Sequence, residues 1–418
     1  MNQIKIIKNY YQTQQQIAND INLSNTIIQK VQSLNFKGSS YLGFDDITLN
    51  FTINGYERII QFCNLLYEKQ INLLIIWTKP EIQKAIEASI NFVLGLNDFD
   101  KSKKIRLVFV NELQNDLLIN RQITKELNEN NKETVGLLFL DSFGAEKAHL
   151  NSIKNFLSQF NRYASDFLIK KSIFYVGRSI SYVDTLNLNV PRENCLFVSD
   201  DVHPQYSLLS EIGLVILALQ GINVQKVIEG YAKASESLSE FDIYFNKALD
   251  LALILNNNFK NNEDSTFMNH LIAYDTSLNN FLGYFAYLFN KTTLAQNILN
   301  TNCSFPKQIN TYAQNLLSGP IYTLASFWVV KNKSFDFQLS SNIENDDLID
   351  QIKNYTVNQI KNLSYETFST YLNSFNDTLN SFTVEINSNS EFALGQLINL
   401  LYWSRIYYCV INDIDPFA

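Results

Sequence analysis

Five continuous apolar runs, each about as long as a β-strand, constrain this chain more than anything else in it. They are "INLLIIW" (71–77), "IRLVFVN" (105–111), "TVGLLFLD" (134–141), "SIFYVGR" (172–178) and "CLFVSD" (195–200). A strand with one wet face alternates apolar and polar residues. An unbroken apolar run suits a strand of a parallel sheet, which is covered on both sides. Stretches of helical character at 80–94, 111–128 and 146–162 separate these runs, and the alternation predicts a doubly wound α/β unit. A long helical section follows over about 205–256, and then "NNNFKNNED" (256–264) predicts a polar surface loop. A second strand series comprises "FMNHLIAY" (267–274), "IYTLASFWVV" (321–330) and "FTVEIN" (382–387), again separated by helices, with a last helix over 391–412. The first forty residues read as helix. The fold class is α/β, with two tandem αβα sandwiches of mainly parallel strands. A helical segment (1–45) precedes a first α/β domain (46–205) and a second (206–418). No Pro-, Gly- or Ser-rich linker divides the domains, so close packing between them is expected.

The 418 residues suffice for two cored domains, and 46% hydrophobic with 18% charged residues is an ordinary globular composition. The net charge of −8, without a basic stripe, argues against a nucleic-acid partner. Cys63, Cys195, Cys303 and Cys409 form no CxxC pair, and His149, His203 and His270 are equally dispersed, so no metal site and no cofactor is expected. The N-terminus lacks the apolar core of a secretory signal. Its longest apolar stretches are too short for a bilayer or, as in "FALGQLINLLYWSRIYYCVI", are interrupted by Gln396, Asn399 and Arg405, which suits a buried helix. A cytoplasmic protein is expected. Abundant Asn, Ile, Lys, Phe and Tyr hint at an AT-rich bacterial genome, and the 13 glycines are about half of ordinary usage.

Four stretches carry a resemblance that extends over nearly the whole chain: "KGSSYLGFDD" (37–46), "SDDVHPQYSLLSEIGLVILALQGINVQKVIEGYAKA" (199–234), "AYDTSLNNFLGYFAYLF" (273–289) and "SEFALGQLINLLYWSRIYYCVINDIDPFA" (390–418). In order and character they resemble the glucose-6-phosphate isomerase family, built from two sugar-isomerase (SIS) domains. The resemblance implies two SIS-type units. It also implies a mechanism in which a carboxylate moves a proton between adjacent carbons of a sugar phosphate.

The residues at the family's functional positions do not suit that chemistry. The ESxGK motif, whose glutamate is the base, falls on "KTTLA" (291–295), so Lys291 stands where the glutamate is expected, and Tyr287 replaces a glutamine four residues earlier. The ring-opening histidine position holds Leu316. The GGR triplet becomes His203, Pro204 and Gln205, without its cation. The serine- and threonine-rich phosphate turn becomes "DSFGAE" (141–146), where Gly144 persists but Asp141 and Glu146 are acidic. The glycine turn GIGGS becomes "WTKPE" (77–81), in which Thr78 and Glu81 read as a capping box and Pro80 removes a donor. The QPGVE-x-x-K segment expected after "DPF" has no counterpart before Ala418.

The expectation is therefore a protein with no catalytic and no substrate-binding residues of the family type. It would be a structural or adaptor subunit of a cytosolic assembly, of cytoskeletal or motility kind, and a homodimer. A sugar-phosphate sensor is the alternative, using Lys79, Lys291 and Ser142 as an anion site. Against it, these residues read as solvated surface and His203 as a surface or capping residue.

Overall fold

The computed structural model describes residues 3–51, 53–95, 105–110, 135–141, 158, 172–178, 190–199, 202–259, 267–319, 322–333, 336–338, 354–375 and 379–417. The expected helix at 111–128, that at 146–162 apart from the helical Ser158, and residues 142–146 of the acidic turn with Ser142, lie outside them.

Among the described residues, two five-stranded sheets organise the chain. The first contains β2 (Leu73–Trp77), β3 (Arg106–Val110), β4 (Val135–Asp141), β5 (Ile173–Gly177) and β6 (Cys195–Phe197), in the order β3-β2-β4-β5-β6 and parallel throughout. The second contains β1 (Ile4–Lys8), β7 (Phe267–Ala273), β8 (Ile298–Ser304), β9 (Tyr322–Asn332) and β10 (Asn380–Ser388), in the order β1-β10-β9-β7-β8. Strand β1 runs antiparallel at the edge, with Ile4 opposite Ile386, and the others are parallel. Leu73 to Trp77 and Ile173 to Gly177 are buried along their whole length, as unbroken apolar runs require.

The helices are α1 (Gln14–Gln32), α2 (Gly43–Leu49), α3 (Ile53–Glu68), α4 (Pro80–Leu94), α5 (Glu211–Leu219), α6 (Val224–Ser235), α7 (Lys247–Phe259), α8 (Thr276–Thr293), α9 (Ile309–Ser318), α10 (Val357–Phe375) and α11 (Glu391–Ile411). Helix α11 is buried continuously from Ala393 to Val410. A helix covered on every side carries polar residues only where each finds a partner. The Gln396 side chain accepts from the Gln3 N–H at 2.7 Å, and Asn399 donates to Ser235 Oγ at 2.8 Å. One contiguous apolar cluster runs from the first sheet through α11 to the second, joining the two units without a seam.

Two sequence expectations change, and the helical section between them is resolved into parts. The first forty residues are not all helix, because Ile4–Lys8 pairs with β10 and brings the N-terminus into the second sheet. The β-branched isoleucines of "IKIIK" favour this edge position. The section 205–256 is three separate helices after a 3-10 stretch at Pro204–Leu209, and Gly221 takes a positive φ of 79° between α5 and α6. The expected loop from 256 is, up to Phe259, the last turn of α7. Asn256 accepts from Asn412 at 3.3 Å, Asn257 donates to Asp20 at 2.8 Å, and Asn258 accepts from Asn380 at 2.7 Å. Its polar residues are inside because each is bonded to another element.

Candidate functional site

In an open parallel sheet, ligands bind beyond the C-terminal strand ends where the strand order reverses. Here that reversal falls at β2 in the first sheet and at β7 in the second. Each of these strands leads directly into a helix, α4 and α8, and the two helices pack antiparallel. Phe92 near the end of α4 meets Phe281 near the start of α8, with ring centroids 6.4 Å apart, and Glu81 at the start of α4 meets Lys291 at the end of α8. The fold thus brings together residues separated by 210 positions.

Lys291 Nζ donates to Glu81 Oε1 at 3.1 Å, and Tyr287 OH donates to Glu81 Oε2 at 3.4 Å. Lys291 and Lys84 both lie over the Tyr287 ring, at 5.0 and 5.4 Å from its centroid. Lys291 keeps the solvent exposure expected of it, but its ammonium is paired and not free. Burial pushes the Glu81 carboxyl up, but its own backbone N–H and the Lys291 charge outweigh that and hold it below the usual carboxylate range.

The expected Thr78/Glu81 capping box does not form. Lys79 is the N-cap and Pro80 the first helical residue, which places Glu81 one position too early to reach back. Thr78 Oγ1 is buried without a hydrogen-bond partner, and Lys79 is half-buried.

His203 is buried, not at the surface. Its Nδ1 accepts from the Gln205 N–H at 3.4 Å, so the capping half of the expectation describes it. Its ring stands edge-on to Tyr41 and Phe417, at 5.7 and 5.6 Å. Burial first, and then the charges of Arg405, Lys291 and Arg178, pull its pKa down to about 4, leaving a neutral imidazole.

Gln205, at the family's arginine position, is buried against a real arginine from α11. Arg405 Nη1 donates to Gln205 Oε1 at 2.7 Å and to Tyr206 OH at 2.9 Å. Tyr206 OH in turn donates to Pro416 O, and Tyr284 OH donates to Gln205 O. The sequence flagged Arg405 only as an interruption of an apolar stretch. A charge in the middle of an otherwise buried helix was the available signal. Leu316 lies on α9, 1% exposed, in the apolar cluster beneath β7 and β9.

This corner can hold a neutral imidazole, one paired carboxylate and several cations. Among the described residues, no group of three His, Cys, Asp or Glu side chains could hold a metal ion, and no helix is long and apolar enough to cross a membrane. An open apolar groove of about 660 Å³ lies elsewhere, between α9 and α10, with Ile309, Leu363, Phe368 and Tyr371 in its walls.

No family model matches the chain. It is 20% identical over 398 residues to a glucose-6-phosphate isomerase of Mycoplasmopsis pulmonis, covering 93% of this chain and 89% of that one. It is 21% identical over 401 residues to one of Mesomycoplasma hyopneumoniae, covering 95% and 91%. Among solved structures it superposes on a hypothetical protein of Thermus thermophilus with a TM-score of 0.78, at 14% identity over 96% of this chain and 92% of that one. It also superposes on a glucose-6-phosphate isomerase of Chlamydia trachomatis with a TM-score of 0.66, at 14% identity over 87% and 70%. The chain is related to the glucose-6-phosphate isomerase family, and its fold is the two-unit SIS-type α/β architecture.

Proposed function

We propose that this chain is a non-catalytic relative of glucose-6-phosphate isomerase that serves as a structural or adaptor subunit of a protein assembly, itself as a homodimer. The Glu81–Lys291 pair carries this reading. Aldose–ketose interconversion needs a free carboxylate set against the substrate carbon. The position the resemblance gives to that carboxylate holds an ammonium, and the carboxylate beside it is engaged by Lys291 and Tyr287. A carboxylate held below its ordinary pKa is also a weaker base than a free one. Leu316 and Gln205, at the positions of the ring-opening residue and the cation, offer no replacement.

An isomerase assay coupled to reduction of a nicotinamide cofactor, with fructose-6-phosphate as substrate, tests this reading. The expected result is no turnover above that of a Lys291→Met variant. Turnover that disappears in Glu81→Gln would show a relocated base and overturn the proposal. Saturable binding of fructose-6-phosphate without turnover would replace the adaptor by a sensor.

A further inference from the structure

Arg405 is a physical anomaly in this fold. It is fully buried, with 0% of its surface exposed. One nitrogen, Nη1, is used by Gln205 and Tyr206, and the guanidinium lies over the Tyr206 ring with Cζ 5.6 Å from its centroid. Nε and Nη2 have no hydrogen-bond partner, and among the described residues no carboxylate forms an ion pair with this arginine. The acids nearest in effect are already engaged. Asp415, whose charge reaches Tyr206, accepts from the Phe417 N–H at 2.8 Å, and Glu81, whose charge reaches His203, is held by Lys291. Among the described residues, the other charges acting on His203 are positive. Lys291 and Arg178 act on His203 in the same sense as Arg405, and Arg178 Nε is likewise buried without a partner while its Nη2 donates to Val202 O.

A guanidinium held out of water needs a counter-charge or a full set of acceptors, and among the described residues Arg405 has neither. The pattern of what is missing is specific. Nε–H and the adjacent Nη2–H point side by side from one edge of the guanidinium. That edge is the fork that matches two oxygens of one anion. Gln205 and Tyr206 occupy the opposite end, where they hold the plane in place, and the fork itself is left without a hydrogen-bond partner.

We infer that the Nε/Nη2 edge of Arg405 is the recognition edge of a buried oxyanion site, taking a small anion that presents two oxygens side by side, either a carboxylate or a tetrahedral oxyanion. The bound anion neutralises the buried guanidinium of Arg405 on α11. The inference goes beyond the adaptor reading and holds whether or not the chain turns over a sugar.

Equilibrium binding of inorganic phosphate and, separately, of malonate to the full chain at constant ionic strength tests it. The expected result is about one site per chain for at least one of them. Binding of phosphate alone assigns a tetrahedral oxyanion, and binding of malonate alone assigns a carboxylate. Arg405→Lys keeps the charge but loses the fork, and should weaken binding about tenfold or more. Gln205→Glu supplies a carboxylate from within and should weaken it similarly, which keeps the test open if the first variant does not fold. Absence of binding of either anion at about 10 mM, or affinity unchanged in the folded variants, would overturn the inference.

Discussion

His203 and His270 both stay neutral inside the fold, and together they make stability depend on pH. Burial lowers both pKa values to about 4, with the neighbouring cations adding to the effect at His203. In the unfolded chain each protonates near 6.5. Between those values the unfolded state binds more protons, so stability rises with pH across this window and falls on acidification. About 3 kcal/mol per histidine is at stake between pH 6.5 and 4. Urea unfolding at a series of pH values should show this slope, and His270→Asn should remove about half of it. An unchanged slope in the variant would contradict the buried neutral assignment. Glu81 acts in a different window. Its folded pKa is lowered from 4.5, so its contribution is present above that value and is lost only as pH falls further. Lys291→Met should destabilise the fold by about 1–2 kcal/mol, less than for a fully buried pair because the lysine side chain keeps 28% of its exposure. A double-mutant cycle with Glu81→Gln should recover most of that as coupling, and a coupling near zero would make the pair incidental. Substitutions such as Lys291 and Leu316 were visible in sequence, because each occupies one position of a motif. Their partners were not. Nothing local joins Lys291 to Glu81 or Gln205 to Arg405, since each contact depends on helices from different parts of the chain meeting side by side.

At the scale of elements, α6 and α11 cross with their backbones in close contact. A Cβ on Gly230 would lie 2.0 Å from Phe392 O, and one on Gly395 would lie 1.9 Å from Val227 O. Both obstructions are backbone, so no side chain can turn away to relieve them. Gly395→Ala should cost about 3 kcal/mol, read as a lowered urea midpoint. Gly230→Ala should cost a similar amount, and the two should be less than additive, because the first already forces the helices apart. Full additivity would mean that each glycine relieves its own local strain and not a shared crossing. The parallel strands were legible for the reason that makes them stable, since β2, β4, β5, β7 and β9 are runs without polar alternation. The strands β1 and β8 were not. "IKIIK" and "ILNTNCS" lie at sheet edges and mix polar with apolar residues. In β8 the polar residues are bonded across elements. Asn300 accepts from Asn269 at 2.8 Å and donates to Thr293, and Thr301 Oγ1 lies 3.1 Å from the His270 ring. A buried polar network has no periodicity to read, so its sequence looks like a loop.

For the whole molecule, the question is what surface an adaptor would present. Phe241, Tyr244 and Phe245 lie in one turn between α6 and α7, and they are 45%, 64% and 65% exposed. The turn is fixed from beneath. Ile243 is buried, Tyr244 N–H donates to Asp242 Oδ1, and Asn246, fully buried, bonds Leu238 O and Tyr407 OH. Aromatic side chains held rigidly in solvent are the kind that anchor interfaces, because little entropy is lost when they are covered. The charge around them is slightly acidic. Glu240 and Asp242 flank the rings, Lys233 is paired with Glu236, and Lys247, bonded to Tyr244 O, offsets one of the two carboxylates. With a net charge of −8 on the chain, this face suits a partner with basic residues around an apolar pocket better than a second copy of itself. Replacing Phe241, Tyr244 and Phe245 together by serine should leave unfolding unchanged to within about 1 kcal/mol, since the rings are not part of the core. The same variant, purified from its native cells, should lose a stoichiometric companion that the unaltered chain retains, and the loss should be mimicked by raising salt. A companion that survives the triple substitution would place the interface elsewhere. Retention of the companion at high salt together with its loss in the variant would make the contact apolar and remove the argument for a basic partner.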